Sequence, residues 1–110
     1  MPDPLAAKVL TVRDVVVAGT RPDRGGPALQ ECLERSGVSV VGRVIVADGV
    51  GTVADALTVM TDGFAGLVVT TGGTGFAPRD LTPEGTAAVI ERSAPGLAEA
   101  MRLVSPLGRL

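Results

Sequence analysis

The sequence predicts an α/β fold in which strands and helices alternate, with the helices on both faces of the sheet. Three observations carry that prediction. Three short apolar, β-prone runs, at residues 8–12, 38–46 and 67–70, are each followed by a segment with helical spacing. Clusters of Gly, Pro and Asp separate the segments. The third run stops at a glycine loop that leads into a helix start, the order of parts from which phosphate sites are built.

In chain order, residues 1–7 read as a flexible leader and residues 8–110 as one domain. The first strand covers 8–12. Arg13-Asp14 and a second apolar run, Val15 to Ala18, follow. Periodicity leaves open whether the strand continues there or turns. Residues 19–26 form a loop by composition and are the expected mobile segment. Pro27 opens a helix to residue 36, with Leu29, Cys32 and Leu33 on one face and Gly37 as its stop. Cys32 is expected in the core, as free cysteines commonly are, rather than as a reactive thiol. The second strand, 38–46, ends at Ala47-Asp48-Gly49. A helix over 52–60 presents Val53, Ala56, Leu57 and Met60 to the core. The third strand has no polar interruption over 67–69, which suits burial on both faces. Thr82 reads as an N-cap and Pro83 as the first residue of a helix to residue 92. Ala94-Pro95-Gly96 break that helix. It resumes over 97–104 with Leu97, Met101 and Val104 inward, and 105–110 form a turn.

Composition removes whole classes of chemistry. The chain has 110 residues, a formal charge of −2, two Phe, and no Trp or Tyr. The sequence has no basic run and, with two Phe, almost no aromatic surface for base stacking, so nucleic acid is not an expected partner. No stretch is apolar for long enough to span a bilayer, and the first residues do not resemble a cleavable signal. A cytoplasmic protein is expected. One cysteine and no histidine leave no internal disulfide, no zinc site of the usual type and no Ser-His-Asp triad. A metal, if used, would be a hard cation on carboxylates, with Mg²⁺ the first candidate.

The candidate site follows from topology. Right-handed crossovers bring the carboxyl ends of parallel strands to one rim. Asp14, Asp48 and the loop from Thr71 to Asp80 would share it, at the place where ligands of open α/β sheets bind. Gly72, Gly73 and Gly75 let the backbone take positive φ and turn N–H groups toward an anion. The same glycines could equally form a simple turn. Asp48 could be a turn residue, and Asp80 could serve the helix start at Pro83. Arg79 suits either a phosphate or a surface ion pair.

Thr71-Gly72-Gly73-Thr74-Gly75 with Arg79-Asp80-Leu81-Thr82-Pro83-Glu84 resembles the molybdenum-cofactor biosynthesis family, which includes bacterial molybdopterin adenylyltransferases and domains such as that of gephyrin. The likeness runs from about Val9 to Met101. It includes Thr11-Val12 with Asp14, Asp23 before Gly26-Pro27-Ala28-Leu29, Ile45-Val46-Ala47-Asp48, and Ala94-Pro95-Gly96-Leu97 through Met101. It implies a three-layer α/β/α domain with a mostly parallel sheet, commonly a homotrimer. It implies transfer of AMP from Mg-ATP to the terminal phosphate of molybdopterin, with a downstream molybdate-insertion protein as partner. Asp48 and Asp80 would be the catalytic carboxylates and Mg²⁺ ligands. Asp14, Thr71, Gly72, Gly73, Thr74 and Gly75 would bind the pterin or nucleotide.

The chain also departs from the family pattern. Arg13 and Val15 stand where the pattern has Ser and Arg, Gly25 replaces a common Ser, and Gly49 a frequent acid. The family continues with a further strand, a helix and a Pro-Gly-Ser-Pro-type loop, so the chain is expected to be a fragment, its unpaired sheet edge awaiting that strand. A non-catalytic pterin-binding member and a trimeric scaffold are the alternatives to the enzyme.

Overall fold

The computed structural model describes residues 3–104. Eight elements follow one another: β1 (Ala6–Val12), α1 (Asp14–Val17), α2 (Gly25–Arg35), β2 (Ser39–Val46), α3 (Val50–Thr61), β3 (Leu67–Thr71), α4 (Thr82–Ala87) and α5 (Pro95–Val104). The three strands form one parallel sheet in the order β2-β1-β3, with β1 in the centre. The crossover from β1 to β2 steps one way and that from β2 to β3 steps back past β1. Right-handed connections in opposite directions put α2 and α3 on opposite faces of the sheet. The α/β/α layering expected from the sequence is therefore present.

Strand β1 faces both layers in alternation. Leu10 and Val12 point to α3 and join Val53, Leu57 and Met60 in a buried cluster, with Val46, Ala56, Val68 and Val89 packed against it. The core face predicted for α3 is the face observed. Ala7, Val9 and Thr11 occupy the other register and are also buried. Helix α2 ends as the sequence signalled. Gly37 adopts φ 85°, its N–H donates to the Glu34 carbonyl, and the Val38 N–H donates to the Leu33 carbonyl. This pair of bonds is a Schellman closure that requires a left-handed residue at Gly37.

Several expectations are corrected. The strand begins at Ala6, and Ala7 is fully buried, so the first core residue lies inside the presumed leader. The undecided segment after β1 turns into the short helix α1. Helix α2 starts two residues before Pro27, and Cys32 is exposed because the helix contacts the sheet through half-buried Leu29 and Leu33 instead. Strand β3 is not buried on both faces: among the described residues it is a sheet edge, and Leu67 is 41% exposed. Helix α4 stops at Ala87 rather than residue 92. Leu97, Met101 and Val104 of α5 are exposed, not inward, because no neighbouring element packs over them among the described residues. The turn expected at 105–110 lies outside the described residues.

Candidate functional site

The centre strand has neighbours reached by crossovers of opposite direction, so the ends of β1 and β3 part at a topological switch point. A cleft of about 190 Å³ opens there, lined by Val12, Arg13, Asp14, Val15, Asp48, Gly73 and Asp80. It combines residues that follow all three strands.

Reciprocal bonds hold this rim together. The Asp14 N–H donates to Asp48 Oδ2 (3.1 Å), and the Asp48 N–H donates to Asp14 Oδ1 (3.0 Å). The Arg13 N–H donates to the Val46 carbonyl (3.0 Å). Ala77-Pro78-Arg79-Asp80 forms a turn in which the Asp80 N–H returns to the Ala77 carbonyl and Asp80 Oδ2 accepts the Ala77 N–H. Pro78 pre-sets the second position of such a turn. The turn projects Arg79 back across the rim. Its Nε donates to Asp14 Oδ2 (2.6 Å), and its Nη2 donates to Asp14 Oδ1 (3.1 Å) and to the Asp48 carbonyl (3.0 Å). One side chain thus joins the loop after β3 to the ends of β1 and β2. The Arg79 guanidinium, helped by the Asp48 N–H, holds the Asp14 carboxyl below its ordinary pKa, and Arg79 is raised in return.

Gly72 and Gly73 take φ 94° and 68°. A side chain at Gly72 would strike the Val12 carbonyl, and one at Gly73 would strike the Thr82 hydroxyl. Glycine is required at both because the β3 loop passes so close to the end of β1 at Gly72 and to Thr82 at Gly73. Thr82 fixes the loop from the far side. Its hydroxyl donates to the Gly72 carbonyl (2.9 Å) and its N–H to the Gly73 carbonyl (3.0 Å). The sequence assigned Thr82 to the N-cap of α4, but Leu81 holds that position and Thr82 fastens the loop.

A Cβ at Gly73 would also lie 3.0 Å from Asp48 Oδ1. That oxygen is buried and has no hydrogen-bond partner among the described residues. Unpaired buried carboxylate oxygens are costly and uncommon.

Asp14, Asp48, Gly73 and Asp80 therefore meet as the sequence predicted. Other predicted residues stand apart. Thr71 turns to the opposite face, where its hydroxyl approaches Gly25. Gly72 supports the floor, and Thr74 and Gly75 are exposed beyond the cleft lining. Gly75 approaches the carboxyl of Asp80 closely enough to exclude a side chain. Sequence reasoning missed Arg13 and Val15 as cleft walls, having registered both only as departures from a pattern. It also left Arg79 undecided, and the fold pairs it with Asp14. No signal in the chain itself could have settled that, since the partners lie 65 residues apart.

Residues 8–107 match the family described as "Probable molybdopterin binding domain". The chain belongs to this family. Its curated relatives include a molybdopterin adenylyltransferase of Helicobacter pylori strain J99, 40% identical over 100 residues that cover 88% of this chain and 57% of the relative. Another is a molybdenum cofactor biosynthesis bifunctional protein of Synechococcus elongatus, 36% identical over 87% of this chain and 30% of the relative. Among solved structures, a molybdopterin biosynthesis protein from Mycobacterium abscessus superposes with a TM-score of 0.81 at 36% identity, covering 90% of this chain and 62% of that one. The tungsten cofactor synthesizing protein MoaB from Pyrococcus furiosus gives 0.78 at 33%, covering 94% and 63%. The chain thus spans from under a third to about three fifths of the length of these two curated relatives.

Proposed function

We propose that the protein acts in molybdenum cofactor biosynthesis as an adenylyltransferase, moving AMP from ATP to the terminal phosphate of molybdopterin. The observation that carries this reading is Asp48 Oδ1, a buried carboxylate oxygen without a partner at the wall of a cleft it shares with Asp80. The names of the adenylyltransferase relatives support it.

The residues fit a magnesium ion. Carboxylate oxygens are its preferred protein ligands, and it is commonly held by one or two carboxylates together with substrate phosphates. Among the described residues no group of three or more acidic, His or Cys side chains gathers as a protein-only cage. Asp48 and Asp80 would hold the ion, which when bound supplies charge neutralisation at the reacting phosphates.

The chemistry asks little else of the chain. A phosphate monoester has its second pKa near 6, so it is already an anionic nucleophile at neutral pH. No general base is needed, in keeping with a chain that has no histidine. A phosphate oxygen attacks the α-phosphorus, the bond from that phosphorus to the oxygen bridging to the β-phosphate breaks, and pyrophosphate leaves with the electron pair. Positioning and charge stabilisation account for most of such a transfer. The left-handed Gly72-Gly73 segment brings main chain to the phosphates, and the Asp14–Arg79 clamp fixes the distance between the two strand-end loops.

Asp48→Asn should reduce adenylylated product by at least about 10²-fold, as for loss of one charge-positioning group. Its melting temperature should be unchanged or higher, because the charge beside the unpartnered Oδ1 disappears. Incubation with molybdopterin, ATP and Mg²⁺, with product and pyrophosphate measured, tests both statements. Normal turnover in Asp48→Asn would remove the assigned role, and no turnover in wild type would remove the reaction. Arg13 and Val15 in the cleft wall favour a second reading, a binder that presents molybdopterin without transfer; tight pterin binding with no ATP turnover distinguishes it. A homotrimer, a cytoplasmic location and a molybdate-insertion partner belong to the same proposal. Among the described residues no helix is long and apolar enough to cross a membrane.

A further inference from the structure

Beside the carboxylate cleft lies a second one, of about 340 Å³, lined by Arg13, Arg21, Pro22 and Arg24. Arg13 belongs to both. The sequence shows no basic run; the cluster is made by folding. After α1 the chain doubles back, with the Thr20 and Arg21 N–H groups both donating to the Val15 carbonyl (2.9 and 3.2 Å). That return sets Arg21 and Arg24 beside the end of β1.

These three guanidinium groups have no carboxylate partner among the described residues, where the one ion pair is Arg79 with Asp14. Asp23 sits between Pro22 and Arg24, yet both of its oxygens are engaged elsewhere. Oδ2 accepts the Thr11 hydroxyl and Oδ1 accepts the Gly26 N–H, each at 3.0 Å. Asp23 therefore ties the loop to β1 and α2 and forms no ion pair with the arginines. Three planar forks suit phosphate oxygens. Their summed charge is greater than the roughly −1.5 to −2 of a single phosphate monoester, and is closer to that of two linked phosphates.

We propose that this arginine cleft holds the β- and γ-phosphates of the nucleotide, and then the departing pyrophosphate. The proposal rests on the adenylyl-transfer reading for its biological sense. The carboxylates and the arginines divide the work: Asp48 and Asp80 face the α-phosphorus and the reacting monoester, and the arginines neutralise the charge that builds on the leaving group as the α–β bond breaks.

The test is titration calorimetry of the full chain with sodium pyrophosphate, inorganic phosphate and AMP, without divalent cation. The proteins are wild type, Arg21→Gln/Arg24→Gln and Asp48→Asn. Arg21 and Arg24 are exposed, so the double variant should keep its circular dichroism spectrum and melting temperature. Wild type should bind pyrophosphate at least tenfold more tightly than phosphate. The double variant should lose at least tenfold of that affinity and keep its affinity for AMP. Asp48→Asn should bind pyrophosphate at least as well as wild type. Equal pyrophosphate affinity in wild type and the double variant would overturn the proposal, as would equal affinity of wild type for phosphate and pyrophosphate. The two readings fail separately. Adenylyl transfer with an unchanged KM for ATP in the double variant sinks the arginine site alone. Pyrophosphate binding that depends on the arginines, in a protein that never forms adenylylated product, sinks the transferase reading and keeps the site.

Discussion

The two faces of the sheet are built differently. On the α3 face, Leu10 and Val12 meet Val53, Leu57 and Met60 in a continuous apolar cluster. On the α2 face, the helix contributes only half-buried Leu29 and Leu33, buries Gly26 alone, and leaves Cys32 exposed. There the contacts nearest the rim are polar, with Thr11 bonded to Asp23 and Asp23 to the Gly26 N–H. Ala7 and Val9 are buried on the second face as well, but the first face holds the clustered apolar core, and such burial is non-directional and scales with area. The second supplies directional bonds that place the arginine loop and the start of α2. A small domain can assign stability to one layer and positioning to the other because both share the central strand.

That contrast can be broken at several points. The largest effect should come from Leu10→Ala, with a loss of about 2–5 kcal/mol from transfer and cavity terms. Leu33→Ala, under half-burial, should cost roughly 1 kcal/mol. Equal losses in denaturant titrations would erase the distinction between the faces. Gly72→Ala tests the junction between them. A side chain at φ 94° facing the Val12 carbonyl should cost about 1–3 kcal/mol, and retention of wild-type stability would show that the loop can move away freely. Thr11→Val should cost about 1 kcal/mol through the lost bond to Asp23, and it should loosen residues 19–24 in hydrogen exchange while leaving α3 protected. Uniform change in both regions would argue that the polar face has no separate positioning role.

The smallest effect concerns the clamp at the rim. The folded-state pKa of Asp14 lies below its unfolded value because Arg79 and the Asp48 N–H favour the charged form. Its contribution is therefore present above the unfolded pKa, about 3.9, and is lost as the pH falls through the lower folded value. Wild type and Asp14→Asn should differ in melting temperature at neutral pH and converge on acidification below about pH 4. A difference that stays constant down to pH 2 would mean that the carboxylate charge is not what Arg79 holds.

The reach of sequence reasoning differs along the chain for physical reasons. Helix α3 was legible because its apolar spacing and its packing agree. Helix α5 carries a comparable pattern, yet Leu97 and Met101 lie exposed. A periodic face shows what a helix can bury, not whether anything lies against it. Cys32 failed for the same reason. At the site, Asp48 was readable because it ends a strand in an alternating pattern, and strand ends gather on one rim. The roles of Arg79 and Thr82 were not readable, since each depends on a partner whose distance is set only when β1 and β3 lie side by side.

By itself, then, the sequence determined the α/β alternation, the rim on which Asp14, Asp48, Gly73 and Asp80 meet, and the family. The first two follow from local propensity, period and chain order, and the family from the likeness of Thr71 to Gly75 with Arg79 to Glu84 to the family's motif. Only the tertiary structure decided that Arg79 spans Asp14 and Asp48, that Asp48 Oδ1 is left without a partner, and that Arg13, Arg21 and Arg24 form one cleft in a chain of net charge −2. Charge and hydrogen bonding act through distance and solvent exclusion, and those quantities do not exist until the strands are paired and the loops are closed.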